Sequence, residues 1–219
     1  MPKKITQKIP SALTIQKNRR AFYFIDTIPN AEIKLKKHTD TTIVALITHG
    51  WEQERRLIIR ATEPGAHCRL IFFILGNATN KFIATIQAIH QDEKTNIKAR
   101  IRTALTDEAT CSIAGDWIIE PRAKGADTHF AHHTLLLSEK ASAKTSPNLE
   151  IKTDSVKAGH SASVGKIDED VLFYLLSRGI SETDARALLV QGFFESELSQ
   201  IDNQRVQDAI SQTVKIFLA

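Results

Sequence analysis

Residues 70–102 read LIFFILGNATNKFIATIQAIHQDEKTNIKARIR, and this stretch decides the fold. The apolar run at 70–75 suits a buried strand. The segment 97–102 alternates apolar and charged residues with a period of two, which is typical of a strand with one buried face. Clusters rich in Gly, Asn, Asp or charge separate these runs, and no helical spacing occurs within them. The stretch therefore predicts short strands joined by turns.

The turn-like clusters recur at a nearly constant interval along the middle of the chain. Their centres are 14 to 17 residues apart, at Gly50, Pro64, Ala78, Asp92, Asp107, Lys124, Glu139 and Asp154. A fixed period of this kind indicates stacked units that bury their faces only against neighbours. Two architectures fit: an antiparallel meander with one strand per unit, and a β-helix with two units per coil. In a β-helix the clusters would give about four coils, a stack of roughly 20 Å.

Three regions follow from this pattern. Residues 1–49 contain two strand-like runs, 21–25 and 31–36, which we expect to cap the first end of the stack. Residues 50–166 are the predicted core of stacked strands. The apolar spacing becomes helical after that, so we expect residues 167–219 to form an α-helical appendage packed on or beside the strands.

The helix signals of the appendage are specific. Asp168 is a good N-cap, and Gly179 can end that first helix in a left-handed conformation. Ser181 and Asp184 resemble a capping box that begins a second helix. We expect one face of the second helix to carry Ala185, Leu188, Leu189 and Gly192. The last helix carries Val206, Ile210, Val214 and Phe217.

Three motifs occur together in the last third of the chain. They are Gly159-His-Ser-Ala-Ser-Val-Gly-Lys-Ile-Asp168, Leu172-Phe-Tyr-Leu-Leu-Ser-Arg-Gly-Ile180 and Ala185-Arg-Ala-Leu-Leu-Val-Gln-Gly-Phe-Phe194. This combination resembles the C-terminal end of the SufB/SufD family, the scaffold subunits of the SUF iron–sulfur cluster assembly machinery. The resemblance covers roughly residues 120–200, and it implies a family member of about half the usual length, shortened at the N-terminus.

The resemblance implies a fold and a function. It favours a mainly β fold, a right-handed parallel β-helix with a C-terminal α-helical appendage, over the meander. It implies a non-catalytic scaffold that pairs with a SufB-like subunit or with itself through residues 125–165. It also implies that a SufC-like ABC ATPase docks on the helical end, at Leu172, Phe173, Arg178, Phe193 and Phe194. The alternative is a β-helix protein-interaction module with no cluster chemistry.

His160 is the strongest candidate for a site residue. In the resemblance it occupies the position of a SufD-type histidine implicated as a cluster ligand at the subunit interface. SufB-type chains carry Glu where this chain has Ser161, and a functional Cys near the position of His132. The resemblance therefore implies a SufD-like subunit with a transient iron–sulfur cluster at a subunit interface and none bound stably by this chain alone. The structural alternative for His160 is a ring that closes the last turn and bonds a backbone carbonyl.

Three further histidines, His129, His132 and His133, invite a metal interpretation, and the last two are additional cluster-proximal candidates. His129 and His133 share a strand face but lie about 13 Å apart, whereas His132 and His133 point to opposite faces. Counted from the turn centres, His132 and His160 share a face and lie diagonally, about 8 Å apart. A metal site would therefore need ligands from a stacked coil or a second subunit, and we expect no metal site beyond these candidates.

Other chemistries find little support. Cys68 and Cys111 form no CxxC pair, and we expect both to be small buried residues. No glycine-rich phosphate loop, HExxH or GxSxG motif occurs, so we do not expect an enzyme. The chain has neither a signal peptide pattern nor an apolar stretch of ~18 residues, so we expect a cytoplasmic protein with no membrane span.

The charge is uneven along the chain. The formal net charge is +4, and residues 1–60 carry twelve Lys and Arg against five Asp and Glu. A basic segment can bind nucleic acid, but these residues lack the interleaved aromatic side chains of single-strand binders, and no binding motif is visible. We therefore expect a solvated, partner-facing surface and no nucleic acid.

Overall fold

The computed structural model describes residues 6–218 and shows a parallel β-solenoid followed by three helices. The strands alternate between two six-stranded sheets, the odd-numbered strands in sheet A and the even-numbered strands in sheet B. The strands are β1 Ala12–Ile15, β2 Arg20–Ile25, β3 Ala31–Leu35, β4 Asp40–Ile47, β5 Arg55–Ala61, β6 His67–Gly76, β7 Lys81–His90, β8 Asn96–Leu105, β9 Thr110–Ile119, β10 Ala126–Leu136, β11 Ser142–Ile151 and β12 Val156–Lys166.

The pairing of the strands selects one of the two predicted architectures. Every paired strand in both sheets is parallel to its neighbour and one coil away from it in sequence. This arrangement confirms the parallel β-helix, and the antiparallel meander is wrong. All eight predicted turn centres, from Gly50 to Asp154, fall between strands.

The solenoid begins earlier than the predicted core. The runs predicted near 21–25 and 31–36 are indeed strands, β2 and β3, but they belong to the same two sheets as the later strands. Both sheets therefore run through residue 49 without a break, because β3 pairs with β5 and β4 pairs with β6. The boundaries proposed for residues 1–49, 50–166 and 167–219 stay a prediction.

One corner of each coil has a repeated backbone conformation. Asn18, His38, Gly65, Lys94 and Gly125 all have positive φ. The N–H of each of these residues donates to a carbonyl of the next coil, as from Lys94 to Lys124 and from Gly125 to Ser155. At Gly65 a Cβ would lie only 2.5 Å from the His38 ring, so glycine is needed there for space as well as for φ. The corner column keeps successive coils in register.

The interior of the solenoid is built from inward-facing rows of paired residues. One such row runs through Ile43, Leu70, Ala99 and Phe130, all of which are buried. Because paired residues on parallel strands point the same way, the next member of this row, His160, also faces the interior side. The row therefore connects the apolar core to the last strand of the stack.

Three helices follow, α1 Glu169–Ser177, α2 Glu182–Leu198 and α3 Gln204–Phe217. The Asp168 side chain accepts from the N–H groups of Asp170 and Val171, as predicted for an N-cap. Gly179 follows α1 with φ of 84°, and the Ser181 side chain accepts from the N–H of Asp184. None of the helices within residues 6–218 is both long and apolar enough to cross a membrane.

The helices cover the outer face of sheet B. Phe73 of β6 and Phe194 of α2 meet there with their ring centroids 6.0 Å apart. The predicted apolar face of α2 is wrong in part, because Leu188 and Gly192 are exposed whereas Val190 is buried. The face of α2 that packs on sheet B cannot be predicted from the spacing of its leucines alone. The predicted apolar stripe of α3 is confirmed, since Val206, Ile210 and Val214 are buried.

Candidate functional site

The second end of the solenoid is open. Strands β11 and β12 are the last strands of sheets A and B, and each pairs with a neighbour on one side only. Their inward-facing side chains lie over the last buried layer, and no further coil covers them in the part of the chain that the structure describes. Ile151 and Val164 are correspondingly exposed apolar residues at this end. Free strand edges and uncovered apolar side chains form a surface that a second chain can extend.

His160 lies in the middle of this open end. It pairs in register with the buried Phe130, yet its own side chain is exposed because no coil follows. Within residues 6–218 the His160 ring has no hydrogen-bond partner, so the structural alternative of a bond to a backbone carbonyl is not supported. An exposed imidazole without a partner is available to ligands that come from outside the chain.

His132 faces the same side but is fully buried. Its Nε2 atom lies 3.0 Å from the Thr103 hydroxyl and 3.2 Å from the Thr134 hydroxyl, and its Nδ1 atom lies 2.9 Å from the Thr145 hydroxyl. Burial, and secondarily the charge of His133, lowers the pKa of His132 to about 3. His132 is therefore a neutral structural residue that ties sheet B to sheet A across the interior. Its pairing with Ala162 places it diagonally from His160, as predicted.

His129 and His133 lie on the outer face, opposite to His132, as predicted. Their Nε2 atoms both approach the Ser161 hydroxyl, at 3.3 Å and 3.4 Å, although the two residues are a long way apart along the strand. The His133 Nδ1 atom also lies 2.7 Å from the Ser163 hydroxyl. Burial first, and neighbouring arginines second, lowers the pKa of both rings. The two side chains lean toward each other across β12, which strand spacing alone does not predict.

These histidines do not converge on one point. His160 is exposed at the open end, His132 is buried inside, and His133 lies on the outer face. Among residues 6–218, no group of three or more His, Cys, Asp or Glu could hold a metal ion. Any cluster at His160 would therefore need ligands from another chain.

The two cysteines are not free to supply such ligands. Cys68 and Cys111 are buried inside the solenoid, as predicted. Burial raises the pKa of each thiol to about 12. Because the thiolate is the form that binds metals, neither cysteine is a ready ligand in this fold.

The residues predicted to bind the ATPase separate into two groups. Phe173 is 72% exposed, and the guanidinium of Arg178, the C-cap residue of α1, lies 5.1 Å from the Tyr174 ring centroid. Leu172 and Phe194 are buried beneath the helices. Because both side chains are buried, neither is exposed for direct contact with a partner.

Phe193 is intermediate between these two groups. It is partly buried, and its ring centroid lies 4.9 Å from the guanidinium carbon of Arg102. The uncovered surface is the α1 apolar surface, defined here as Val171, Phe173, Tyr174 and Leu176.

One buried ionic contact was not predicted from the sequence. Glu197 of α2 is 4% exposed and accepts from Arg102 at 3.1 Å and from Arg100 at 3.4 Å. The partners are 95 and 97 residues apart, so no local pattern connects them. The sequence offers one signal for this contact. Glu197 is an acidic residue on the buried side of α2, and Arg100 and Arg102 alternate along β8.

Comparisons with known proteins agree with this architecture. The family model described as SUF system FeS cluster assembly, SufBD core domain, matches residues 12–193, from β1 into α2. A SufBD family iron–sulfur cluster assembly protein of Mycobacterium leprae is 43% identical over 102 residues, which are 46% of this chain and 26% of that protein. A SufBD family protein of Mycobacterium tuberculosis (strain H37Rv) is 37% identical over 133 residues, 58% of this chain and 33% of the relative.

The iron–sulfur cluster assembly protein SufD of Bacillus subtilis is 32% identical over 140 residues, which are 64% of this chain and 32% of that protein. The chain thus spans about a third or less of the length of these relatives. The family match covers the whole solenoid, the open end and the helix that carries the α1 apolar surface. The chain therefore belongs to the SufBD family of the SUF iron–sulfur cluster assembly system.

Proposed function

We propose that the chain is a non-catalytic scaffold subunit of a SUF-type complex, with a nascent iron–sulfur cluster as its cargo. The observation that carries the proposal is the α1 apolar surface, where Phe173 is 72% exposed beside Val171, Tyr174 and Leu176. Contiguous exposed apolar side chains on a packed domain mark a surface for a protein partner. The partner in this proposal is an ABC-type ATPase, whose nucleotide-driven motion acts on the scaffold through the helices.

The open end of the solenoid supports the second half of the proposal. A SufB-like subunit, or a second copy of this chain, would pair there by covering the inward-facing side chains of β11 and β12. In a symmetric pair, the His160 side chains of both subunits would face each other across the two-fold axis. Because Cys68 and Cys111 are buried and protonated, a SufB-like partner would supply any thiolate ligands to the cluster.

Replacing Phe173 by Asp is expected to abolish co-elution of the chain with the SUF ATPase of the same genome. A carboxylate in place of an apolar anchor at an interface weakens binding by at least about tenfold. The measurement is a pull-down after co-expression, with and without nucleotide. The matched control is Ile216→Asp, because Ile216 is similarly exposed at 68% but lies on α3.

Each outcome of this pull-down has a definite meaning. Loss of binding in Phe173→Asp alone, with an unchanged circular dichroism spectrum, supports docking at α1. Equal loss in both variants would mean that the effect is unspecific. No complex with the unchanged chain under any nucleotide condition would remove the scaffold function and leave only the fold.

Retention of iron and sulfide tests the cluster half of the proposal against a plain interaction module. In an anaerobically purified complex with the SufB-like partner, His160→Ala is expected to lower iron and sulfide per complex by more than about half, because an exposed ligand at the interface is lost. His67→Ala is the control, since His67 is exposed on β6, three strands away from β12 in sheet B. Unchanged retention in His160→Ala, in a complex that still forms, would favour the module with no cluster chemistry.

A further inference from the structure

A buried carboxylate links α2 to sheet B. Glu197 Oε1 accepts from Arg102 Nη2 at 3.1 Å, and Glu197 Oε2 accepts from Arg100 Nη1 at 3.4 Å and from Gln200 Nε2 at 3.0 Å. Arg102 also donates to the Ser196 hydroxyl at 3.0 Å. Removing one partner from a buried ion pair is strongly destabilising, because the remaining charges are left uncompensated.

The row of paired residues that contains Arg102 continues to the last strand of the sheet. Arg102 of β8 pairs in register with His133 of β10, which pairs in register with Ser163 of β12. His133 Nδ1 lies 2.7 Å from the Ser163 hydroxyl, and His133 Nε2 lies 3.4 Å from the Ser161 hydroxyl. One row of side chains therefore leads from α2 across the outer face of sheet B to β12.

The chain itself makes a second connection between the same two elements. β12 ends at Lys166 and α1 begins at Glu169, with Ile167 buried between them in the same core cluster as Phe194. Because α1 packs against α2, the path β12–α1–α2–β8–β10–β12 closes on itself. A displacement of α2 relative to sheet B would act on β12 from both sides, and β12 carries His160.

We infer that Glu197 and Arg102 are positioning residues that hold β12, and with it His160, in place through the closed path of contacts described above. This inference rests on the proposed function, in which the ATPase binds the helices. A movement of the helices would then change the position of His160. Without the Glu197 carboxylate, the charges of Arg102 and Arg100 are uncompensated, and Arg102 keeps only its contacts with Ser196 and Phe193. The neighbour of His133 in the row is then displaced, and the hydrogen bond between His133 and Ser163 weakens.

Hydrogen exchange of the isolated chain tests the inference. Glu197→Gln is expected to speed amide exchange in β12 by roughly tenfold while leaving β11 unchanged. The reason is that the lost charge-assisted contact lies on sheet B, which contains β12 but not β11. Glu195→Gln is the matched control, since Glu195 is exposed on the same helix. Arg102→Met, which keeps the stem of the side chain, is expected to speed β12 exchange equally. The double variant should show no larger effect than either single variant, as residues of one network do.

Two results would overturn the inference. Faster exchange in α2 with unchanged exchange in β12 would mean that the helices and the strand move independently. Equal increases in β11 and β12 would mean a general loss of stability. If Glu197→Gln does not fold, Arg100→Gln removes only the more exposed of the two guanidinium groups. The same comparison then applies, with an expected increase of about threefold in β12 exchange. Since the measurement needs no partner, failure of ATPase binding would remove the proposed function without deciding this inference.

Discussion

Lowering the pH from 7 to 4 is expected to destabilise the solenoid by several kcal/mol, because two buried histidines resist protonation in the folded state. Burial lowers the pKa of His132 to about 3 and that of His90 to about 4. His90 Nδ1 lies 2.8 Å from the Thr95 hydroxyl, and its Nε2 atom has no partner among residues 6–218. Both rings are therefore neutral inside the fold and regain their ordinary pKa only on unfolding.

The sign of the effect follows from proton binding. Below about pH 6.5 the unfolded chain binds protons at both histidines and the folded chain does not, so stability falls as pH falls. Each histidine contributes up to about 1.4 kcal/mol per pH unit until its folded pKa is reached, or about 3 kcal/mol at pH 4. The stability from these groups is fully present above pH 6.5 and is lost between pH 6.5 and about pH 3 to 4.

Urea unfolding at several pH values measures this slope. The double variant His90→Gln with His132→Gln is expected to be less stable at pH 7 but to lose much less stability between pH 6.5 and pH 4. His67→Gln is the control, because His67 is exposed and its replacement should leave the slope intact. Parallel curves for the unchanged chain and the double variant would disprove the assignment to these two rings.

Phe194→Ala is expected to cost about 3–5 kcal/mol of unfolding free energy, the range for a large aromatic residue removed from a core. Phe194 is 1% exposed, and its ring centroid lies 6.0 Å from that of Phe73 and 5.2 Å from that of Phe193. The substitution would leave a cavity between the outer face of sheet B and α2. Neither layer alone can move to fill it.

Urea unfolding followed by far-ultraviolet circular dichroism checks this expectation. Phe173→Ala is the matched control on the neighbouring helix, and because its side chain is exposed it should change stability by less than about 0.5 kcal/mol. A helical transition that separates from the strand transition in Phe194→Ala would show that the ring joins two layers. Equal effects of the two substitutions would contradict the packing described here.

The strands and turns were predictable because their signals are local. The turn centres from Gly50 to Asp154 follow from short clusters of turn-forming residues, and all of them lie between strands. The direction of pairing is not local, since the same alternation of residues suits a parallel or an antiparallel neighbour. Choosing the parallel solenoid therefore required the family resemblance in residues 159–194.

The candidate site was predictable only in part, for the same reason. Counting from the turn centres placed His132 and His160 on one face, because repeated corners keep the coils in register. The burial of His132 by Thr103 and Thr145 depends on two other strands. The contact of Glu197 with Arg102 depends on how α2 lies on sheet B, which spacing within the helix does not determine.

The parallel pairing of neighbouring coils has a consequence for synthesis of the protein. No ladder bond can form until a whole coil has left the ribosome, so the solenoid grows one coil at a time from its N-terminal end. Phe24, Val44, Ile71 and Phe73 stay uncovered on the outer face of sheet B until the last helices have been translated. A chain that ends before Asp168 would therefore leave this apolar face uncovered and would be prone to aggregate.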